Sequence, residues 1–326
     1  MKVRQFIIFI IAFSLFTFPL FSQTVYEPIS HDDIYKFLDR MAQKGIIVFN
    51  DNIRPVSRKY IAEKLEEVKA YSAQSIAHSE ITNLEREELE FYLMDYGMEL
   101  TEIRNQKSEI GPMTSDNNIS TTILNYDPYG RWRMFSYSDD LFKINASPIL
   151  GIQVGKNDGA KQSHTWDGVS LYGYLTDKIG FSFYWRDNNE SGDNIDKTKA
   201  FTPQTGVVVE KGNSNSIQYS EVHADISTDW SWGELTIGKD FLNWGYGDSG
   251  LLVLSDKAPS FPFIRLDLHP TKWFRFNYIH AWLNSDVIDS VASYPTYRTG
   301  ITRDVFRNKY LASHTLTLTP LTGLDI

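Results

Sequence analysis

His223 stands between Glu221 and Asp225 in a stretch where polar and apolar residues alternate. Spacing by two puts all three on one face of a strand, and a histidine flanked by carboxylates is a combination that general acid–base catalysis uses. A solvated polar wall uses the same residues without any reaction, and no second motif joins them. The chain has no phosphate-loop pattern, no His-Glu-x-x-His, no Gly-x-Ser-x-Gly and no paired-histidine metal spacing. The sequence therefore predicts no catalytic residue, no metal site and no cofactor.

A different chemistry is written between Gly238 and Pro262. Trp244 and Tyr246 offer flat aromatic faces, while Asn243, Asp248, Ser255 and Lys257 offer hydrogen bonds. Sugar rings have apolar C–H faces edged by hydroxyls, so aromatic rings beside planar polar groups suit them. These six residues are the candidate polysaccharide-binding set. A structural loop folded inward accounts for them equally well.

The elements that hold these residues alternate with a period of two. Val169, Leu171, Gly173 and Leu175 interleave with Ser170, Tyr172 and Tyr174, and Phe181, Phe183 and Trp185 with Ser182, Tyr184 and Arg186. The residues around Asp177 and Lys178 separate these runs, which makes them a hairpin. Val222, Ala224 and Ile226 then alternate with Glu221, His223 and Asp225, and Ile264, Leu266 and Leu268 with Arg265 and Asp267, turning near Asp229 and at His269. Short turns thus alternate with long polar segments at about 187–216, 238–263 and 284–309, as in a barrel with short turns on one side of a membrane and longer loops on the other. On this reading Arg186, Glu221, Asp225, Arg265 and Asp267 line a polar lumen.

Before the strands the period is helical. Ser30 reads as an N-cap for a helix carrying Ile34, Phe37, Leu38 and Met41 that stops at Gly45; Ser57 starts a second, and Thr82 with Glu85 forms a capping box for a third. The first 22 residues combine Lys2 and Arg4, an apolar run from Phe6 to about Leu20 and a small polar exit at Ser22-Gln23. That is the layout of a cleavable secretory signal. Cysteine is absent, which excludes disulfides, a catalytic thiol and a lipidated N-terminus, and the net charge of −9 argues against nucleic acid as a partner.

From Gly238-Lys239 through Asn243-Trp244-Gly245-Tyr246-Gly247, Leu251 to Leu254, Ser255, Ala258-Pro259 and Phe261-Pro262, the chain resembles the capsule assembly Wzi family of outer-membrane proteins. Tyr35-Lys36-Phe37-Leu38, Gly45-Ile46-Ile47 and Arg54-Pro55-Val56-Ser57 look like that family's helical entry domain. The resemblance implies a barrel of ~18 strands, within the range of such proteins, that binds rather than catalyses and attaches capsular polysaccharide to the cell surface. Leu38 to Ile47 with Asn50-Asp51-Asn52 and Arg54 to Arg58 also looks like a surface-layer homology motif, which tethers outer membranes to the cell wall. Residues 238–262 are not accounted for by that motif.

The expected architecture is therefore mainly β. Residues 1–22 are a signal peptide, 23–110 a small α-helical periplasmic domain, and 119–326 the first part, about ten strands, of a transmembrane antiparallel outer-membrane β-barrel. The expected partners are capsular or extracellular polysaccharide and outer-membrane lipid, with polysaccharide-export machinery a further candidate. The alternatives are a porin or channel for small solutes and a barrel tethered to the cell wall through its helical N-terminal domain.

Overall fold

The computed structural model describes residues 24–326 except 75–79, 108–118, 177, 194, 196–207, 211–214, 248–249, 256–259, 272, 284, 286, 298–301, 322–323 and 325. Residues 1–22, expected to be a signal peptide, and Asp177, Asp248 and Lys257 thus lie outside the described residues.

Four helices come first: α1 (Asp32–Gln43), α2 (Arg58–Ser72), α3 (Asn83–Asp95) and α4 (Gly97–Lys107). The Ser57 side chain caps α2 by accepting from the Tyr60 N–H, and Thr82 and Glu85 form both halves of the expected capping box at α3. At α1 the sequence reading is corrected. The helix is preceded by His31, not Ser30, without a side-chain cap. His31 is engaged with Glu27 at 2.5 Å, and Asp32 and Asp33 place negative charge at the first turn, where the helix dipole favours it. Gly45 ends this helix with φ +72, a conformation costly for residues with a Cβ.

The apolar stripes of these helices meet in one core. Tyr35, Phe37, Leu38 and Met41 of α1 pack with Ile61 and Leu65 of α2, Leu89 and Tyr92 of α3, and Leu100 and Ile103 of α4. Truncating a fully buried side chain here, Leu65→Ala for example, costs about 2–5 kcal/mol through lost transfer energy and the cavity left behind.

The strands are β1 (Ile53–Arg54), β2 (Ser120–Tyr126), β3 (Trp132–Ser138), β4 (Phe142–Asn157), β5 (Ala160–Leu175), β6 (Ile179–Gly192), β7 (Val208–Glu210), β8 (Ser216–Trp230), β9 (Gly233–Asp240), β10 (Asn243–Trp244), β11 (Phe261–Thr271), β12 (Phe274–Leu283), β13 (Tyr294–Pro295), β14 (Thr302–Arg303) and β15 (Lys309–Leu318). Eleven of them form one antiparallel sheet in the order β15-β12-β11-β9-β8-β6-β5-β4-β3-β2, with β7 beside β8. Neighbours in sequence are mostly neighbours in space, the up-and-down pattern that consecutive hairpins produce. The observed strands run further than the sequence pattern suggested: β6 reaches Gly192 and β11 reaches Thr271.

The faces of this sheet are inverted relative to a soluble domain. Along β8 the buried residues are Ile217, Tyr219, Glu221, His223, Asp225, Ser227 and Asp229, while Ile226 on the other face is 62% exposed. Leu150, Ile152 and Val154 of β4 and Ile237 of β9 are exposed as well, whereas Thr236, Arg265 and Asp267 are buried. The dyad alternation read in the sequence is thus observed, with the polar side turned inward. Among the described residues no helix is long and apolar enough to cross a membrane.

Candidate functional site

Burying a charge requires a partner, and the helical domain supplies several of them. Arg58, at the start of α2, donates to Glu27 at 2.5 Å and to Glu99 of α4 at 2.7 Å, with its guanidinium 4.1 Å from the ring centroids of both Tyr96 and Tyr172. Tyr174 of β5 donates to the same Glu99 at 2.6 Å, and Lys143 of β4 reaches Glu102 at 3.1 Å. Further along the sheet, Tyr26 donates to Glu234 at 2.7 Å and to Asp267 at 3.1 Å, while Arg265 donates to the Pro55 carbonyl at 2.8 Å. All these strand residues lie near the short turns. The helical domain is seated on the polar face at that end.

Glu27 is the hinge of this electrostatic arrangement. Burial pushes its carboxyl upward, but Arg58 and the His31 hydrogen bond outweigh burial and hold it at about 2. Burial pushes the His31 imidazole downward, and its hydrogen bond to Glu27 outweighs that to leave it above its ordinary value. Each member of the pair favours the charged form of the other.

The segment after β9 explains the glycine- and tryptophan-rich stretch. The chain leaves the sheet at Asp240 and turns onto the polar face, where Asn243 and Trp244 pair with Arg54 and Ile53 of the helical domain. Trp244 is 5% exposed and packs with Ile53, Leu242, Phe261, Phe263, Ile279 and Ala281, an apolar knot on an otherwise polar face. Its backbone exchanges hydrogen bonds with Leu254 at 2.8 and 3.2 Å, so Trp244 and Leu254 close a loop between them. Gly245, at φ +103 and with its Cβ direction 3.0 Å from the Leu252 nitrogen, lets that loop close.

The candidate polysaccharide set is therefore divided. The ring of Trp244 is turned into the apolar knot among hydrophobic neighbours. Tyr246 is 63% exposed, Asn243 and Ser255 are partly exposed, and Asp248 and Lys257 lie outside the described residues. The expected lumen-lining residues do share the polar face. Arg186 pairs with Glu221 at 2.5 Å, Asp225 accepts from Ser182 and Ser227, and Arg265 donates to Asp267 at 2.6 Å.

Sequence reasoning missed that Arg265 and Asp267 seat the N-terminal segment, because Tyr26 and Pro55 lie more than two hundred residues away. A cavity of about 350 Å³ remains at the seam, lined among others by Asn52, Lys59, Tyr60, Glu234, Arg275 and Asn277. No family model, curated protein or solved structure matches the chain.

Proposed function

We propose that this protein is an outer-membrane β-barrel that holds capsular or other extracellular polysaccharide at the cell surface, as its resemblance to the capsule assembly Wzi family implies. The inverted sheet supports the membrane part of this reading: charged side chains are buried on one face and aliphatic ones exposed on the other. On β8 the outward run from Val222 to Trp230 covers ~27 Å at ~3.4 Å per residue, or ~20 Å once tilted by ~40°, close to the ~25 Å apolar band of such barrels. The aromatic residues Trp230, Trp232, Trp273 and Phe274 cluster at the short-turn end, where an interfacial girdle belongs.

The single observation that favours holding over transport is the inward course of residues 241–244 onto the helical domain. Two inserts, the helical domain and this segment, occupy the polar face that a solute would have to traverse. The seam cavity favours the second reading, a narrow path for small solutes. Deleting the gene should leave polysaccharide synthesis intact and release the polymer into the medium, with restoration by the wild-type gene. Unchanged surface retention together with a loss of small-solute uptake would replace holding by transport.

A further inference from the structure

Beyond the helical domain, toward the long connections, the polar face carries a second group of side chains drawn from β5, β6 and β8. Trp166 of β5 faces Gly151 on one neighbouring strand and Asn188 on the other. A Cβ at position 151 would lie 2.1 Å from the indole carbons, so the ring rests directly on β4 and only glycine allows this. The Arg186 guanidinium stands 5.9 Å from the ring centroid. At that distance the guanidinium borders the ring as a weak cation–π partner, and the indole stays partly exposed.

Hydrogen bonding around the ring is incomplete in a defined way. Arg186 places one nitrogen on Glu221 at 2.5 Å, while its Nε–H is buried without a partner among the described residues. The Asn188 amide nitrogen is directed to the carbonyls of Arg186 and Tyr219, so its Oδ1 faces His164 Nε2 at 3.0 Å. An accepting Oδ1 requires the proton on Nε2, which leaves Nδ1 of His164 as an acceptor. The His164 ring lies 4.8 Å from that of Trp166. One donor and one acceptor thus flank a single aromatic plate.

We propose that Trp166, Arg186 and His164 form a subsite for an uncharged pyranose unit. The sugar's C–H face stacks on the indole, one hydroxyl oxygen accepts from the Arg186 guanidinium, and one hydroxyl donates to His164 Nδ1. Charge selects the ligand class. Glu221 offsets Arg186 at 2.5 Å, so no net positive charge remains there to draw a uronate carboxylate, and a neutral sugar suits the site. The subsite rests on the polysaccharide-holding reading and gives it a location distinct from residues 238–262.

The test uses the full-length protein purified in detergent and oligosaccharides cut from the cells' own surface polysaccharide, both native and after chemical reduction of their carboxylates to alcohols. Carboxyl-reduced oligosaccharide should bind at least as tightly as native and should quench tryptophan fluorescence. Trp166→Ala should weaken it about five- to tenfold, the loss of one ring–sugar contact. Gly151→Ala, which lifts the ring, should shift affinity the same way. Trp166→Phe, which keeps a smaller plate, should fall between and serves if the alanine variant does not assemble. Undiminished binding by correctly assembled variants overturns the subsite alone, and binding abolished by carboxyl reduction overturns its preference for uncharged sugars. Failure of the wild-type protein to bind either preparation overturns the holding function with it.

Discussion

Tyr174 of the sheet and Arg58 of the helical domain donate to the same oxygen of Glu99, at 2.6 and 2.7 Å, with all three side chains buried. The carboxylate joins an element that packs like a soluble bundle to one that carries its polar side inward. Removing Arg58 takes the guanidinium from both Glu27 and Glu99, leaving them to His31 and Tyr174, and loss of one partner from a buried charge network costs about 3–5 kcal/mol. Arg58→Met should therefore make residues 24–107 much more sensitive to protease in the assembled protein, while Tyr174→Phe, which removes one charge-assisted bond, should have a smaller effect. Equal protection in wild type and Arg58→Met would detach this network from domain seating.

Seating should also depend on pH in a window set by Glu27 and His31. The folded Glu27 carboxyl, held at about 2 against an ordinary 4.5, contributes stability that is complete above pH 4.5 and lost as pH falls toward 2. His31 is raised above its ordinary 6.5, so its contribution is complete below 6.5 and lost as pH rises through its folded value. The melting temperature of the helices, followed by ellipticity at 222 nm, should peak between pH 4.5 and 6.5. His31→Asn should flatten the alkaline side of that peak; a variant that keeps the alkaline fall assigns it to another group.

Local signals were legible in the sequence wherever a residue's role is fixed by near neighbours. The Ser57 cap, the Thr82–Glu85 capping box, the Gly45 stop and the alternation along Glu221 to Ile226 depend on spacings of two to four residues. What was not legible depends on partners far along the chain. Nothing near Trp244 distinguishes an indole offered to a ligand from one buried against Ile53 and Phe263, and nothing near Trp166 reveals that Gly151 lies beneath it. The helix break at Gly97 was also missed, since α4 carries its own buried face without an N-terminal signal of the kind that marks α2 and α3.

The burial of Trp244 gives a prediction that separates it from Tyr246. Trp244→Ala removes a large side chain from a closed apolar knot, at a cost of about 3–5 kcal/mol, and should release residues 241–244 from the polar face. Reconstituted into liposomes, this variant should admit small sugars faster than wild type, whereas Tyr246→Ala, at an exposed position, should not. Equal permeability of all three proteins would show that the segment does not obstruct the polar face.

Sidedness can be read with single cysteines because the chain has none of its own. Lys178 is exposed at a short turn beside the helical domain, and Lys161 is exposed near the β4–β5 hairpin at the other end of the same strand. On intact cells a membrane-impermeant maleimide should label Lys161→Cys and spare Lys178→Cys, with both labelled after lysis. The opposite pattern would invert the protein in the membrane.

The surroundings of the apolar face are best tested at Ile226. In a water-soluble protein a side chain 62% exposed tolerates a charge at little cost, since surface changes away from special features stay within about 0.5 kcal/mol. Facing lipid, the same charge costs about 2–4 kcal/mol near the middle of the bilayer and less toward its edges. Ile226 lies midway along the outward run from Val222 to Trp230, so the full penalty applies there. Ile226→Arg should reduce the amount of heat-modifiable protein in the outer membrane several-fold. Gln218→Arg, outward on the same strand but beyond the apolar run, should assemble normally. The contrast matters more than either variant alone, because a general folding defect would not depend on position along the strand. Normal assembly of Ile226→Arg would mean that water, not hydrocarbon, covers the aliphatic face, and the barrel reading would fall with it.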